Sequence, residues 1–346
     1  MPGPEQALRS QFRVLYNPLM GDSRLRLLRE NPLKLRLDRL AIVAAWSIGS
    51  MSSAQQPARV PDPLVKENVT VKVSDHVYVI PDGDVPLVPN VGIIVGTRAT
   101  LVVDTGLGPR NGQTILRELA KVSRNADVYV VSTHFHPEHA LGEAAFPASA
   151  RIIRSQAQQK DIDEFGLALA VTFSRRSPLT ADLLKDVQFR RADELFDREK
   201  ELDLGGVRAR IFWLGPTHTR GDTLIFVEGD RVLFAGDVVM NNRFLVFASS
   251  YSSVQAWLTS LDRLDPLHPS RVVPSHGAMG NASLIEKDRG YLKLLQARVR
   301  ELKNQGKSSD EAADLVSSEL QAKYPDWTGA DFIPAAVKAA YAELRP

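Results

Sequence analysis

One short pattern recurs five times along this chain: an apolar, β-rich run that stops on a carboxylate or an imidazole. Val128-Tyr129-Val130-Val131 passes through Ser132 and Thr133 into His134-Phe135-His136-Pro137-Glu138-His139. Leu101-Val102-Val103 runs into Asp104-Thr105-Gly106, and Ile211-Phe212-Trp213-Leu214 into Gly215-Pro216-Thr217-His218. Val232-Leu233-Phe234 leads to Ala235-Gly236-Asp237, and Val272-Val273 to Pro274-Ser275-His276. Short continuous apolar runs of this kind are expected of strands buried on both faces. If such strands lie side by side and end on one rim, their terminal polar groups converge. Rigid strands with ligands at the loop junctions suit a site that must hold its geometry.

The converging groups are metal-ligand types. His134, His136, Glu138 and His139 fall within six residues, in a chain of 346 residues with only seven histidines. Imidazole and carboxylate donors bind zinc and other first-row transition metals. Cysteine is absent, which excludes disulfides, thiolate ligands and a cysteine nucleophile. There is no Gly-x-Ser-x-Gly elbow either. The two remaining histidines read as ordinary: His76 sits in a hairpin turn and His268 in a loop before the last strand.

The order and spacing from Asp104 to His276 resemble the metallo-β-lactamase fold superfamily. Its signature is His-x-His-x-Asp-His, then a lone His, a lone Asp after an apolar strand, and a last His. The resemblance covers about residues 69 to 282. It implies an α/β fold, a four-layer αββα sandwich with metals at one edge of the two sheets. Beyond His276 the pattern itself turns helical, with Tyr291, Leu295, Val299 and Leu302 as one apolar stripe, and predicts a helical C-terminal extension. The resemblance further implies that His134, His136 and His218 bind a first metal. Glu138, His139 and His276 serve a second, Asp237 bridges the two, and Asp104 accepts a hydrogen bond that orients a ligand imidazole. One or two zinc ions per chain are expected; the same donors suit iron or manganese.

One residue departs from the pattern. The family's usual Asp is Glu138 here, which keeps the carboxylate and moves it one methylene outward. It serves the second metal or acts as a proton carrier beside a single one. Asp237 argues against a class B β-lactamase, many of which carry Cys or Ser there. Met240 stands where the main zinc β-lactamases place a lysine, and Arg243 is the nearest cation. Phe135, Phe244, Phe247 and Tyr251 are candidate walls of an apolar pocket. The chemistry expected of catalytic Glu138 and Asp237 with their metals is hydrolysis by a zinc-bound hydroxide, since such a metal lowers the pKa of its water to about 7. The bond is an ester, lactone, thioester or amide in a small molecule. The alternatives are a β-lactamase proper and a mono-iron oxidoreductase of the persulfide dioxygenase kind.

Net charge is +2, with no long basic run, so nothing points to nucleic acid. The first 54 residues differ from the rest. Arg24 to Arg39 are basic, Leu40 to Ile48 are apolar, and Ser52-Ser53-Ala54 precede Gln55. That succession predicts a signal peptide ending near Ala54, a periplasmic or secreted product and no membrane span after processing. Residues 55–282 then form the catalytic domain, and 283–346 are helices packed on it. Gly205-Gly206 predicts a hairpin turn. Ser283 with Glu286 and Ser308 with Glu311 predict two capping boxes.

Overall fold

The computed structural model describes residues 61–344. The expected leader lies outside the described residues. Two sheets organise the chain. The larger runs β1 (Val71–Lys72), β2 (Val77–Ile80), β3 (Val91–Val95), β4 (Ala99–Val103), β5 (Asp127–Val131), β6 (Arg151–Ser155), β7 (Glu194–Phe196) in that spatial order. It is antiparallel up to β4 and parallel from β4 to β7. The smaller holds β8 (Glu199–Asp203), β9 (Arg208–Trp213), β10 (Thr223–Val227), β11 (Val232–Gly236) and β12 (Arg271–Pro274), in the order β12-β11-β10-β9-β8.

Alternation along the strands divides the apolar residues between three clusters. Leu101, Val103, Val131, Ile211, Ile225 and Phe234 meet between the sheets. Val102, Val130 and Ile93 point the other way, against Ile115 of α1 (Gly108–Val122). Phe212, Leu224, Leu233 and Val272, on the outer face of the small sheet, meet the C-terminal helices. The result is the αββα sandwich.

Four further helices are short: α2 (Pro137–Ala140), α3 (Gln156–Asp161), α4 (Leu167–Ser174) and α5 (Pro178–Leu183). The C-terminal layer is α6 (Val254–Asp262), α7 (Ser283–Asn304), α8 (Ser309–Lys323) and α9 (Ile333–Glu343). On α7, Tyr291, Leu295, Val299 and Leu302 form one apolar stripe, and all are buried. Each aliphatic member contributes roughly 1.5–3 kcal/mol by leaving water. No described helix is long and apolar enough to cross a membrane.

Two local readings need correction. Ser308 and Glu311 do form a capping box on α8, but Ser283 does not cap α7. The cap position there is Ala282, and the Ser283 amide is taken by the Asn281 side chain at 2.9 Å. The asparagine two residues upstream offers a closer turn acceptor, so the helix starts one residue early. Phe244 and Phe247 are also not pocket walls. Both are buried in the C-terminal core, Phe244 among Tyr291, Tyr324 and Trp327, and Phe247 against Trp257.

The strand ends stay in register because the loops above them are tied together. The Thr105 amide donates to the His139 carbonyl at 2.8 Å, and Gly142 N–H to the Gly106 carbonyl at 2.8 Å. A Cβ on Gly142 would stand 1.8 Å from the Thr105 oxygen. Only glycine lets the histidine loop and the Asp104 loop approach this closely.

Candidate metal centre

Five histidines and three carboxylates converge where the two sheets end, and all but His276 are buried. Pro137 opens α2, and its predecessor His136 is extended, at φ −60 and ψ 146. The single turn that follows puts Glu138 and His139 back over the strand ends. His218 is not at a strand end; it arrives from the loop after β9, which is held by Asp222. That carboxylate accepts from the Thr219 amide at 2.9 Å and from the hydroxyls of Thr217 and Thr219.

Three groups have donor atoms within 4.8 Å of one another: His134, His136, His218; His134, His139, Asp237; and Glu138, His139, His276. The longer Glu138 side chain therefore reaches the same point as His139 and His276. Asp237 lies between the sets, with Oδ2 3.5 Å from His218 Nε2 and Oδ1 3.9 Å from His276 Nε2. His134 Nε2, His139 Nε2, Glu138 Oε2 and Asp237 Oδ1 are buried without a hydrogen-bond partner. Burying polar atoms unpaired is costly. Unpaired lone pairs aimed at one another are what a cation would satisfy, so the residues present fit a metal.

The far side of each ring explains which nitrogen faces inward. His218 Nδ1 lies 2.6 Å from the Val246 carbonyl and His276 Nδ1 3.1 Å from the Val88 carbonyl. A carbonyl only accepts, so Nδ1 carries the proton and Nε2 presents its lone pair. His139 Nδ1 donates to Asp104 Oδ2 at 3.0 Å. Thr133 Oγ1 gives its proton to Asp104 Oδ2, at 3.0 Å, and so accepts from His134 Nδ1 at 3.2 Å. His136 is reversed: its Nδ1 faces the centre, 3.3 Å from His218 Nε2.

Asp104 also accepts from the Thr133 amide at 2.7 Å and from Ser275 Oγ at 3.1 Å. It adopts φ +64, a left-handed conformation that Asp tolerates better than most residues. Sequence reasoning missed Asn90 and Asp82, which hold the His276 loop from the β2–β3 connection. Asn90 Nδ2 donates to the carbonyls of Pro274 and Gly277, at 2.9 and 2.8 Å, and its own amide donates to Ser275 O. Asp82 accepts from the Gly277 amide at 2.7 Å. Both residues lie far from the histidine motifs in sequence, so only an alignment of relatives could have flagged them.

Three of the imidazoles, His134, His136 and His276, are kept neutral, as ligands of a cation must be. Burial pushes His134 and His136 well below the usual imidazole range, helped by the neighbouring imidazoles, and His276 down to about 3. Burial works the same way on His139, but the Asp104 carboxylate outweighs it and holds that ring at about 9. Burial raises Glu138. It would raise Asp237 too, yet the imidazoles of His276, His218 and His139, with Arg243, hold that carboxyl below its ordinary value. Arg176, stacked 3.7 Å over the Phe173 ring, acts on His136 and Glu138. Phe135 is buried and packs 5.0 Å from the His136 ring; Tyr251 is exposed and lies under Arg220. The other two histidines stand apart: His76 bonds Asp230 at 2.9 Å, and the His268 carbonyl accepts from Arg231.

The metallo-beta-lactamase superfamily model matches residues 84–276, more than half of the sequence, and the chain belongs to that superfamily. It is similar to a linear primary-alkylsulfatase of Pseudomonas sp., 22% identical over 217 residues, 54% of this chain and 40% of the relative. The metallo-beta-lactamase type 2 of Bacteroides fragilis is 20% identical over 237 residues, 67% of this chain and 87% of that protein. The chain thus spans about two fifths of the alkylsulfatase it matches. Among solved structures, the sec-alkylsulfatase Pisa1 of Pseudomonas sp. superposes with a TM-score of 0.60 at 15% identity, over 79% of this chain and 49% of that one. The DIM-1 metallo-beta-lactamase gives 0.52 at 17% identity, over 66% of this chain and 99% of that one. These likenesses show the fold.

Proposed function

We propose that this protein is a metal-dependent hydrolase with two zinc ions, acting on an ester, lactone, thioester or amide of a small molecule. The observation that carries this reading is the set of buried, unpartnered donor atoms in three overlapping groups. His134, His136 and His218 would hold one ion, Glu138, His139 and His276 the other, with Asp237 between them. Bound metal of this kind supplies a water acidic enough to attack at neutral pH and polarises an oxygen of the substrate.

The chain's own residues do the rest. Asp104, Val246 O and Val88 O fix the imidazole tautomers, so no donor must reorient during turnover. With both ions bound, the Glu138 carboxylate would be a ligand and stay ionised; beside a single ion it would be free to hand a proton to the leaving group. Arg176, which acts on His136 and Glu138, and Arg243, which acts on Asp237 and His276, place positive charge near the centre, where charge developing on the substrate would be stabilised. No protein nucleophile takes part.

The test is elemental analysis of protein expressed with zinc, followed by a panel of lactams, lactones, thioesters and esters, with sulfate esters added because of the alkylsulfatase likeness. Two zinc ions and turnover of at least one class are expected. A single iron with no hydrolysis would favour the oxidoreductase alternative, and no transition metal at all would sink the reading.

A further inference from the structure

The segment that follows Asp237 leaves the sheet at once. β11 ends at Gly236, and residues 237–244 pair with no other strand of the sheet. They are gripped instead from the C-terminal layer. Trp257 Nε1 on α6 donates to the Val238 carbonyl at 2.9 Å. The Met240 amide donates to Asp288 Oδ2 on α7 at 2.7 Å. Lys287, the neighbour of Asp288, donates to the Asn242 side chain. The Thr328 amide donates to Asn242 O at 2.9 Å, and the Phe244 amide donates back to Thr328 O at 3.0 Å. Farther along the same segment, the Val246 carbonyl orients His218, and Ala248 N and Ser252 Oγ both donate to the His218 carbonyl. One stretch of chain thus carries Asp237 and also aims His218.

Asp288 is the unusual member of this grip. It is 1% exposed, and its second oxygen, Oδ1, is buried without a partner. Burial drives its carboxyl well above the usual carboxylate range. A buried carboxyl with half its capacity unused is a costly anchor for one amide. Farther along the same helix, Leu292, Leu295, Val299 and Leu302 are ordinary apolar packing.

We propose that Asp288 is a positioning residue of the metal centre, fixing the segment from Asp237 to Phe244 so that Asp237 stands between the two histidine sets. This rests on the metal-centre reading above. It gives the C-terminal helices a role in metal affinity as well as in closing the fold.

The experiment is a zinc titration against a competing chelator, with thermal melts of the metal-stripped proteins. Asp288→Leu should weaken zinc binding at least tenfold and lose the weaker of the two binding steps. Asp288→Asn, which keeps an acceptor for the Met240 amide, should restore the wild-type isotherm. Val299→Ala, buried on the same helix, should lower the melting temperature and leave the isotherm unchanged. If Asp288→Leu does not fold, Asp288→Ser, too short to reach the amide, carries the same expectation. A wild-type isotherm for the Leu or Ser variant overturns the proposal alone. Equal zinc loss in Val299→Ala overturns it as well, since affinity would then merely follow stability. A wild-type chain that binds no transition metal removes the centre itself, and the proposal with it.

Discussion

Asp104→Asn is the sharpest single test of how the centre is held. The carboxylate receives four hydrogen bonds: the Thr133 amide on Oδ1, and Thr133 Oγ1, His139 Nδ1 and Ser275 Oγ on Oδ2. Asparagine keeps the shape and accepts the left-handed backbone at φ +64, so the change isolates the hydrogen-bond chemistry. With its oxygen on Thr133 N, its NH2 faces the other three groups. The two hydroxyls can turn and accept, but His139 Nδ1–H cannot, and one charge-assisted bond worth roughly 1.5–3 kcal/mol is lost. The flipped amide loses the Thr133 bond instead, at similar cost. In the first orientation the His139 proton moves to Nε2, the atom that faces the metals. Zinc affinity at the Glu138–His139–His276 set should therefore fall about 10- to 100-fold, the range seen when such an orienting partner is removed. The first set, His134, His136 and His218, should still load. Competition with a chromophoric chelator measures both steps, and thermal melts of the stripped protein measure the stability cost. Two zinc ions bound with wild-type affinities would refute the tautomer argument.

Other expectations follow from the same geometry. In metal-stripped protein, His139 is raised to about 9 by Asp104, so its contribution to stability is full below its ordinary value of 6.5 and is lost as the pH rises through about 9. The melting temperature should fall over that window in the wild type and stay flat in His139→Gln. His134→Ala should lose the first metal and all hydrolysis, read by elemental analysis and turnover, because its ring is shared by two of the ligand sets. Glu138→Gln should cut kcat by roughly 10²-fold if the carboxyl moves a proton. Glu138→Asp should retain part of the activity; wild-type kcat and zinc content in both variants would remove Glu138 from the mechanism. N-terminal sequencing of exported protein should begin near Gln55, and an intact leader on a cytoplasmic pool would contradict the signal-peptide reading.

The sequence by itself determined which side chains meet. Each of Asp104, His134, Asp237 and His276 follows a short, β-rich apolar run of the kind expected of a strand, and strands packed in a sandwich end on a common rim. The His-x-His-x-Glu-His run shows its candidate ligands because they are adjacent in the chain. The Gly205-Gly206 turn and the α7 stripe were legible for the same reason: their signals lie within a few residues of one another. What the tertiary structure alone decided is how those ligands are held. Asn90 and Asp82 reach the His276 loop across 184 and 195 residues, and Asp288 reaches Met240 across 48. Phe244 and Phe247 looked like pocket walls because they follow Asp237, yet the C-terminal helices claim them for the core. No local pattern encodes such contacts. They depend on which layer each loop meets once both sheets have formed, and that is fixed by packing over the whole chain.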